Sequence, residues 1–294
     1  MYYRRRVLLG LLEALGGKAE KLKFQKALFL LSRMQHQPSY DFVPYKNGPF
    51  SFQSYSDIGA LGKYNLICED DKYLFIQGDT SFIGTLTEAD QNSLSLISCK
   101  LRAMSTTDVL RHVYNEYPWY ATKSDIVGNL KLTENDLGKI KNELPKDIGP
   151  FLFTIGYEGR SLDTYINILL RNNVKSLIDV RRNPISMKYG FSKRTLSSTC
   201  QKLGIDYSHM YELGIESSKR KSLVTQTDYD SLFLNYEVEL NSKLDALKIL
   251  QRIILEQKRV ALTCFEASSR QCHRGQLANY LLYKLNVSIS LKHL

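Results

Sequence analysis

The chain has 294 residues, of which 43 % are hydrophobic and 24 % are charged. This composition is typical of globular proteins and excludes a largely disordered chain. The length predicts two domains, since a domain commonly takes about 100–200 residues. No apolar run approaches the ~20 residues that cross a bilayer, so the sequence predicts no membrane partner.

Basic side chains are in excess, with 40 Lys and Arg against 30 Asp and Glu, and the formal net charge is +10. The excess is uneven: residues 1–150 contain 19 basic and 17 acidic residues, whereas residues 151–294 contain 21 and 13. A basic half of a chain favours a polyanionic or phosphorylated partner, and we expect a nucleic acid or a nucleotide. Plain solubility is the alternative explanation of the charge.

The five cysteines are widely spaced and form no C-x-x-C pair. Their number and spacing exclude a disulfide framework, argue against a structural zinc and favour the reducing cytoplasm as the location. The histidines show no H-E-x-x-H spacing, so the sequence predicts no metal. It also predicts no dinucleotide cofactor, because no G-x-G-x-x-G follows a strand.

Residues 1–150 are predicted to form a helix-rich domain. The first apolar residues have helical spacing, and we interpret them as an amphipathic helix of a soluble protein and not as a signal peptide. The glycines at Gly16-Gly17 divide residues 1–35 into two helices. The next predicted elements are a structured loop at 36–53, a helix at 54–64, short β-like runs at 67–78 and 81–94, and a helical stretch at 88–114. A polar segment then ends at Gly149-Pro150, where we place the domain boundary.

From Phe151 onward, apolar strands alternate with helical segments. The strands are predicted to begin at Phe151, Lys175, Ile205, Arg259 and Val287, and the helices to lie at 161–174, 191–204, 229–258 and 275–285. This order predicts an α/β fold with a Rossmann-like, mostly parallel sheet flanked by helices. Ligands of such sheets bind beyond the carboxyl ends of the strands, and polar residues collect there in this chain.

Four motifs of residues 151–294 occur together in a known family. They are TIGYEGRSLDTY, DVRRNPISMKYGFSK, IDYSHMYELG and CFEASSRQCHRGQLANYL. In this order they resemble the DUF488 family, over about residues 151–290. The resemblance implies a Rossmann-like domain associated with DNA modification and phage defence, and it implies no particular reaction.

The first domain contains KFQKALFLL, YDFVPYKNGPFSF and DIGALGKYNLI. These segments are similar to winged-helix-like domains of antitoxin-type proteins, which implies binding of DNA or of a partner protein. Clustered basic residues would serve DNA binding, namely Arg4, Arg5, Arg6, Lys18, Lys21, Lys23 and Lys26. The alternative is a docking module, and we expect a homodimer formed through this domain.

The DVRRNP motif places an acid and two arginines at the end of a predicted strand. Arg181 and Arg182 offer planar donors that pair with phosphate or carboxylate. Asp179 could orient Arg181 or act as a base. The alternative is an internal Asp179–Arg181 pair that closes the strand.

The CFEASSRQCHR motif is predicted to lead from a strand into a helix, where an anion would be favoured. Arg274 would bind phosphate, His273 would protonate a leaving group, and Glu266 is a candidate base. The alternative for Glu266 is a salt bridge to Arg274 or Arg181. Cys264 and Arg270 have the C-x5-R spacing of cysteine phosphatases, but the loop lacks their glycines, and we favour a buried, inert Cys264.

Four further residues complete the predicted site. Tyr157 and Tyr207 could stack a base, Glu158 lies in the same turn as Tyr157, and His209 could donate a proton. A structural role is the more common one for a single histidine.

The predicted edge allows two functions. The first is a metal-independent hydrolase of nucleic acid or nucleotide, cleaving an N-glycosidic or phosphoester bond. Its catalytic residues would be Asp179, Glu266 and His273, and its binding residues Tyr157, Glu158, Arg181, Arg182, Tyr207, His209 and Arg274. The second is a non-catalytic sensor of nucleotide or modified nucleic acid at the same residues.

Overall fold

The computed structural model describes residues 1–78, 81–146, 149–220 and 223–294, with no side chain described at Ser217. The chain divides into two compact units, Met1–Leu144 and Pro145–Leu294. Among the described residues, no helix is long and apolar enough to cross a membrane.

The first unit is mainly helical. Its helices are α1 (Tyr3–Ala14), α2 (Lys21–Met34), α3 (Phe52–Lys63), α4 (Glu88–Arg102), α5 (Thr106–Glu116) and α6 (Glu134–Glu143). Its strands are β1 (Lys18–Glu20), β2 (Val43–Tyr45), β3 (Gly48–Phe50), β4 (Ile67–Glu69) and β5 (Tyr73–Ile76). β5 pairs antiparallel with both β1 and β4, and β2 pairs with β3.

The core of the first unit follows the apolar periodicity of the sequence. Leu8 and Leu12 of α1 and Phe24 and Leu28 of α2 are fully buried. The two helices separate at the predicted glycines, which both have positive φ and let the chain reverse into β1. Phe29 packs edge-on against Phe42, Tyr117 and Tyr120, so the aromatic residues near position 120 belong to the core of this unit.

Several first-unit elements differ from the prediction. Residues 83–85 form a 3₁₀ turn and not a strand, and the predicted loop at 36–53 contains β2 and β3. The predicted helix at 88–114 is two helices, because Ser105 accepts a hydrogen bond from the Asp108 amide and begins α5 as an N-cap.

The second unit contains a five-stranded sheet. Its strands are β6 (Phe151–Gly156), β7 (Ser176–Asp179), β8 (Asp206–His209), β9 (Arg259–Cys264) and β10 (Ser290–His293). Its helices are α7 (Leu162–Arg171), α8 (Lys193–Lys202), α9 (Gln226–Leu240), α10 (Leu244–Gln257) and α11 (His273–Tyr283). The strand order is β10-β6-β9-β7-β8, and all neighbours are parallel. The predicted α/β class is confirmed.

Helices pack on both faces of this sheet. Val260 and Leu262 of β9 lie in a buried cluster with residues of α9, α10 and α11. Thr263 alternates to the opposite face, where it meets the hydroxyl of Tyr165 from α7 at 2.7 Å. The prediction of one long helix at 229–258 is wrong, because the chain breaks between α9 and α10 at Asn241–Lys243, and the Asn241 side chain accepts a hydrogen bond from Tyr280.

The sheet register aligns the carboxyl ends of the strands. Gly156 lies opposite Cys264, and Asp179 lies opposite both Thr263 and His209. The chain leaves β6 toward β7 and leaves β9 toward β10, which lie in opposite directions along the sheet. Such a reversal between neighbouring strands opens a crevice at their carboxyl ends.

Candidate functional site

A cavity of about 380 Å³ lies at these strand ends. The ionisable side chains that line it are those of Tyr157, Arg181, Arg182, Arg220, Cys264 and Glu266. Larger depressions exist, among them one of about 740 Å³ in the first unit. We favour the smaller cavity, because buried polar groups from several strand ends converge on it.

The loop after β9 is held tightly against the end of β6. The amides of Tyr157 and Glu158 donate to the Phe265 carbonyl at 3.1 and 2.9 Å. The Glu158 carboxylate accepts from the Ala267 amide at 2.9 Å. A Cβ at Gly156 would lie 1.8 Å from the Glu266 carbonyl oxygen, so only glycine allows this close approach.

Arg274 also holds this loop, through hydrogen bonds to its main chain. Its guanidinium donates to the carbonyl oxygens of Glu266 and Ala267 at 2.6 and 2.9 Å, and the side chain is 1 % exposed. This position favours a role in holding the loop. Phosphate binding by Arg274 stays a prediction that these contacts do not favour.

Asp179 and Arg181 form a buried, bidentate pair. Arg181 Nε donates to Asp179 Oδ1 at 2.8 Å, and a second guanidinium nitrogen donates to Oδ2 at 2.5 Å. The Tyr207 hydroxyl also donates to Asp179, at 2.7 Å. Burial and then the Asp179 charge raise the pKa of Tyr207. Both carboxylate oxygens of Asp179 therefore accept hydrogen bonds, which agrees with the alternative interpretation of an internal Asp179–Arg181 pair.

Arg181 also holds two aromatic residues in place at the wall of the cavity. One guanidinium nitrogen donates to the Tyr157 hydroxyl at 3.0 Å and to the Phe191 carbonyl at 2.8 Å. The Tyr157 ring is stacked on Phe191, with centroids 4.3 Å apart. Burial opposes the charge of Arg181, but Asp179 raises the pKa of its guanidinium. Tyr157 is thus a fixed wall, only 4 % exposed.

His209 and Arg182 lie beside this pair. His209 Nε2 is 2.9 Å from the Arg181 carbonyl, which can only accept, so Nε2 carries a proton and donates. Its Nδ1 is 3.3 Å from the Lys193 ammonium. Arg182 is exposed and 3.5 Å from Glu216, a loose ion pair that leaves the guanidinium able to bind a ligand.

Arg220 joins Glu266 to His273. It donates to Glu266 Oε1 at 2.7 Å and to His273 Nδ1 at 2.6 Å. His273 Nε2 donates to the Val180 carbonyl at 2.9 Å, so Nδ1 has the free lone pair. His273 is completely buried, and these contacts favour a positioning role over proton donation. Burial and then the Cys264 charge raise the pKa of Glu266.

Two cysteines complete this cluster. Cys264 Sγ is 3.2 Å from Glu266 Oε2 and 3.7 Å from His273 Nδ1, while Cys272 Sγ is 3.8 Å from the same nitrogen. Burial opposes ionisation, but a hydrogen bond from Cys272, the contact with His273 and the charge of Arg220 lower the pKa of Cys264 well below its usual value. Burial and then Cys264 raise the pKa of Cys272.

The ten residues predicted from the sequence therefore separate into groups. The lining residues are Tyr157, Arg181, Arg182 and Glu266. Behind them, Asp179 holds the Arg181 guanidinium, Tyr207 donates to Asp179, and His209 contacts the Arg181 carbonyl. His273 contacts Arg220, and Glu158 and Arg274 hold the loop after β9.

Comparison with known proteins finds one family model that matches this region. Residues 161–281 match the model of the family described as Domain of unknown function DUF488. No curated protein and no solved structure matches the chain. The match supports the family resemblance of the second unit, and the likeness of the first unit to antitoxin-type domains has no support from these comparisons.

Within the DUF488 match, sequence reasoning missed Arg220 and the pairing of Cys272 with Cys264. Arg220 ends a 3₁₀ turn, Ser217–Arg220, which has no periodicity to reveal it. Cys264 was expected to be buried, and it is, but it also lines the cavity. Arg270 is exposed, and the guanidinium that lines the cavity beside Cys264 is that of Arg220.

Proposed function

We propose that the second unit binds a phosphate-bearing nucleotide, free or within nucleic acid, and hydrolyses an N-glycosidic or phosphoester bond. The convergence of three arginines and one carboxylate on a single cavity carries this proposal. A site lined by Arg181, Arg182, Arg220 and Glu266 has an excess of positive charge and therefore attracts anions. Its volume of about 380 Å³ lies within the range of small-ligand sites.

Arg182 and Arg220 are the phosphate-binding residues in this account. Arg182 makes a loose ion pair with Glu216 and lies over the Tyr211 ring. Arg220 contacts His273 and Glu266, and an incoming phosphate can replace the Glu266 carboxylate. Arg181 is committed to Asp179 and Tyr157, so we assign it to shaping the wall. The ring of Phe265, which is 44 % exposed and packs edge-on against Tyr157, offers an apolar surface for a base or a sugar.

Glu266 is the proposed acid–base catalyst. Its side chain is 23 % exposed and lines the cavity, whereas the Asp179 carboxylate is fully buried and holds Arg181. Phosphate binding to Arg220 would release the Glu266 carboxylate toward the substrate. Asp179 and His273 act as positioning residues in this account, and water is the attacking group.

A non-catalytic sensor is the second candidate. The specific observation in its favour is that Asp179, His273 and Arg274 are all engaged in contacts that stabilise the unit. A site with so many committed groups binds and reports a ligand without needing turnover.

The first unit is proposed to dock DNA or a partner protein, with a second copy of the chain as one such partner. The order α1-β1-α2-β2-β3-α3-β4-β5, with β1, β5 and β4 in one antiparallel sheet, resembles a winged helix that has the β2–β3 hairpin inserted between α2 and α3, and this resemblance favours the role. The expected DNA-binding cluster gains less support, because Arg4 and Arg5 both pair with Asp57 and Lys26 is buried. A link to phage defence stays a proposal from the family resemblance.

The experiment compares Glu266→Gln with Glu256→Gln on end-labelled DNA, RNA and free nucleotides. Glu256 lies at a groove by the opposite strand ends, so it makes the same chemical change away from the cavity. We expect Glu266→Gln to lose at least 100-fold in product formation with little change in retention of the ligand, and Glu256→Gln to match the wild type.

Full turnover by Glu266→Gln would overturn its catalytic role. Retention by the wild type without any product would support the sensor. If the wild type neither retained a ligand nor formed a product, both candidates would be overturned.

A further inference from the structure

Two thiols and an imidazole meet beside the cavity, at the junction of β9 and α11. The side chains of Cys264, Cys272 and His273 are buried, and their sulfur and nitrogen atoms lie within 4.8 Å of one another. We infer that Cys264, Cys272 and His273 form a binding site for a thiophilic divalent cation, with Zn²⁺ as the best fit.

The separations suit tetrahedral coordination. Typical Zn–S and Zn–N bonds of about 2.3 and 2.0–2.1 Å at a tetrahedral angle place the sulfur and nitrogen ligands about 3.6 Å apart. His273 Nδ1 is 3.7 Å from Cys264 Sγ and 3.8 Å from Cys272 Sγ. A small movement of the side chains would therefore complete three metal–ligand bonds.

The outer contacts orient the imidazole for this role. His273 Nε2 donates to the Val180 carbonyl at 2.9 Å, which fixes the tautomer and leaves the Nδ1 lone pair on the side of the two thiols. Metal-binding histidines in proteins commonly have such a backbone partner on the second nitrogen. Cys264 ends a central strand and His273 begins a helix, so two regular elements hold the ligands.

Chemistry favours a soft or borderline cation over magnesium. Thiolate and imidazole ligands select Zn²⁺ and Co²⁺, whereas Mg²⁺ prefers oxygen. Two thiolates also balance the charge of a divalent ion.

The fourth position of the metal would face the cavity. Cys264 lines the cavity, and Glu266 Oε2 lies 3.2 Å from its sulfur. Three protein ligands with one open position are typical of catalytic zinc, and zinc deaminases combine Cys and His ligands with a glutamate that moves protons and does not bind the metal. This inference does not depend on the proposed function, because metal binding is measured without any substrate.

Arg220 contacts His273 Nδ1, the nitrogen that the metal would bind, and therefore competes with the metal for it. Its guanidinium is 2.6 Å from His273 Nδ1 and 2.7 Å from Glu266 Oε1. A metal on Nδ1 requires Arg220 to leave the imidazole, while its contact with Glu266 can persist. Replacement of Arg220 by Gln is therefore expected to tighten metal binding, by about threefold or more.

The experiment uses the full chain, purified under reducing conditions and stripped of metal. Equilibrium dialysis with Zn²⁺ and elemental analysis measure stoichiometry, and Co²⁺ absorption reports thiolate ligation and tetrahedral geometry. We expect one Zn²⁺ or Co²⁺ per chain, a thiolate charge-transfer band with Co²⁺, and no comparable binding of Mg²⁺. Cys264→Ser and Cys272→Ser should each lose at least tenfold in affinity.

Cys200→Ser is the matched control, because Cys200 is also buried in the second unit but lies on α8, outside the cluster. Circular dichroism verifies that each variant is folded, and the Co²⁺ spectrum of the wild type remains decisive if a variant does not fold. Absence of stoichiometric binding by the folded wild type would overturn the inference. So would equal affinities of Cys264→Ser, Cys272→Ser and Cys200→Ser, or a Co²⁺ spectrum without thiolate bands.

Discussion

Arg4 and Arg5 of the first unit are paired differently from Arg182 and Arg220 of the second unit. In the first unit, Arg4 and Arg5 share the carboxylate of Asp57, which is 1 % exposed. In the second unit, Arg182 and Arg220 are only loosely paired or paired with a carboxylate of the cavity. For ligand binding, the count of Lys and Arg therefore matters less than the position of the nearest carboxylate.

Asp57 in the first unit and Asp179 in the second unit both hold arginines, but their surroundings differ. The partners of Asp57 have exposed fractions of 32 % and 18 %, whereas Arg181, the partner of Asp179, is 5 % exposed. Burial opposes ionisation of Asp57, but hydrogen bonds from Arg4 and Arg5 lower its pKa. Water can replace a lost partner in the first unit more easily than in the second.

The largest expected effect follows from this contrast. Asp179→Asn leaves Arg181 buried without its counter-ion, and we expect a loss of about 3–5 kcal/mol in the free energy of unfolding of the second unit. Asp57→Asn should cost the first unit about 1–3 kcal/mol, because its arginines reach solvent. Urea unfolding of both variants checks the difference, and equal losses would contradict the contrast.

Close packing at the cavity gives the next effect. Gly156→Ala places a methyl group 1.8 Å from the Glu266 carbonyl, so the loop after β9 must move. We expect a loss of about 1–3 kcal/mol in stability together with loss of ligand retention. Gly138→Ala in α6 of the first unit is the control, since its Cβ meets no atom within 4 Å. Retention by Gly156→Ala at the wild-type level would show that the cavity tolerates a displaced loop.

A buried lysine gives the first unit a pH dependence of its own. Burial lowers the pKa of Lys26 to about 7, and its ammonium donates to the Pro49 carbonyl at 2.9 Å. The unfolded chain then binds more protons than the folded one above pH 7, so stability rises with pH. Between pH 7 and 9 the gain is about 2 kcal/mol relative to Lys26→Met.

Chemical unfolding of the wild type and Lys26→Met at both pH values provides the measurement. The second unit supplies the internal reference, since its transition should respond equally in both proteins. A difference between wild type and variant that is constant across this range would contradict a lowered pKa of Lys26.

Much of the second unit could be predicted from the sequence. Short apolar runs that end in polar residues mark β6, β7 and β9, and parallel pairing brings their ends together, so Tyr157, Asp179 and Glu266 could be placed at one edge. Which side chains reach the cavity could not be predicted. Asp179 and Arg181 lie at the end of β7, but the ion pair between them decides which way their side chains point.

Other parts of the site depend on contacts between distant segments. The helix predicted to begin at Gly275 begins at His273, and this start places Cys272 and His273 beside Cys264. Arg220 reaches the same point from a 3₁₀ turn that has no apolar periodicity. Hydrophobic spacing reports which face of an element is buried, and it contains no information on such side-chain meetings.

Oligonucleotide and nucleotide binding by Arg182→Gln and Arg220→Gln tests the central claim most directly. Arg252→Gln, an exposed position on α10, and Arg102→Gln, an exposed position in the first unit, are the controls. We predict that each cavity variant weakens binding at least tenfold and reduces its dependence on salt, while both controls stay within about twofold of the wild type. Equal weakening by all four substitutions, or none by the cavity variants, would contradict an anion site at the strand ends of the second unit.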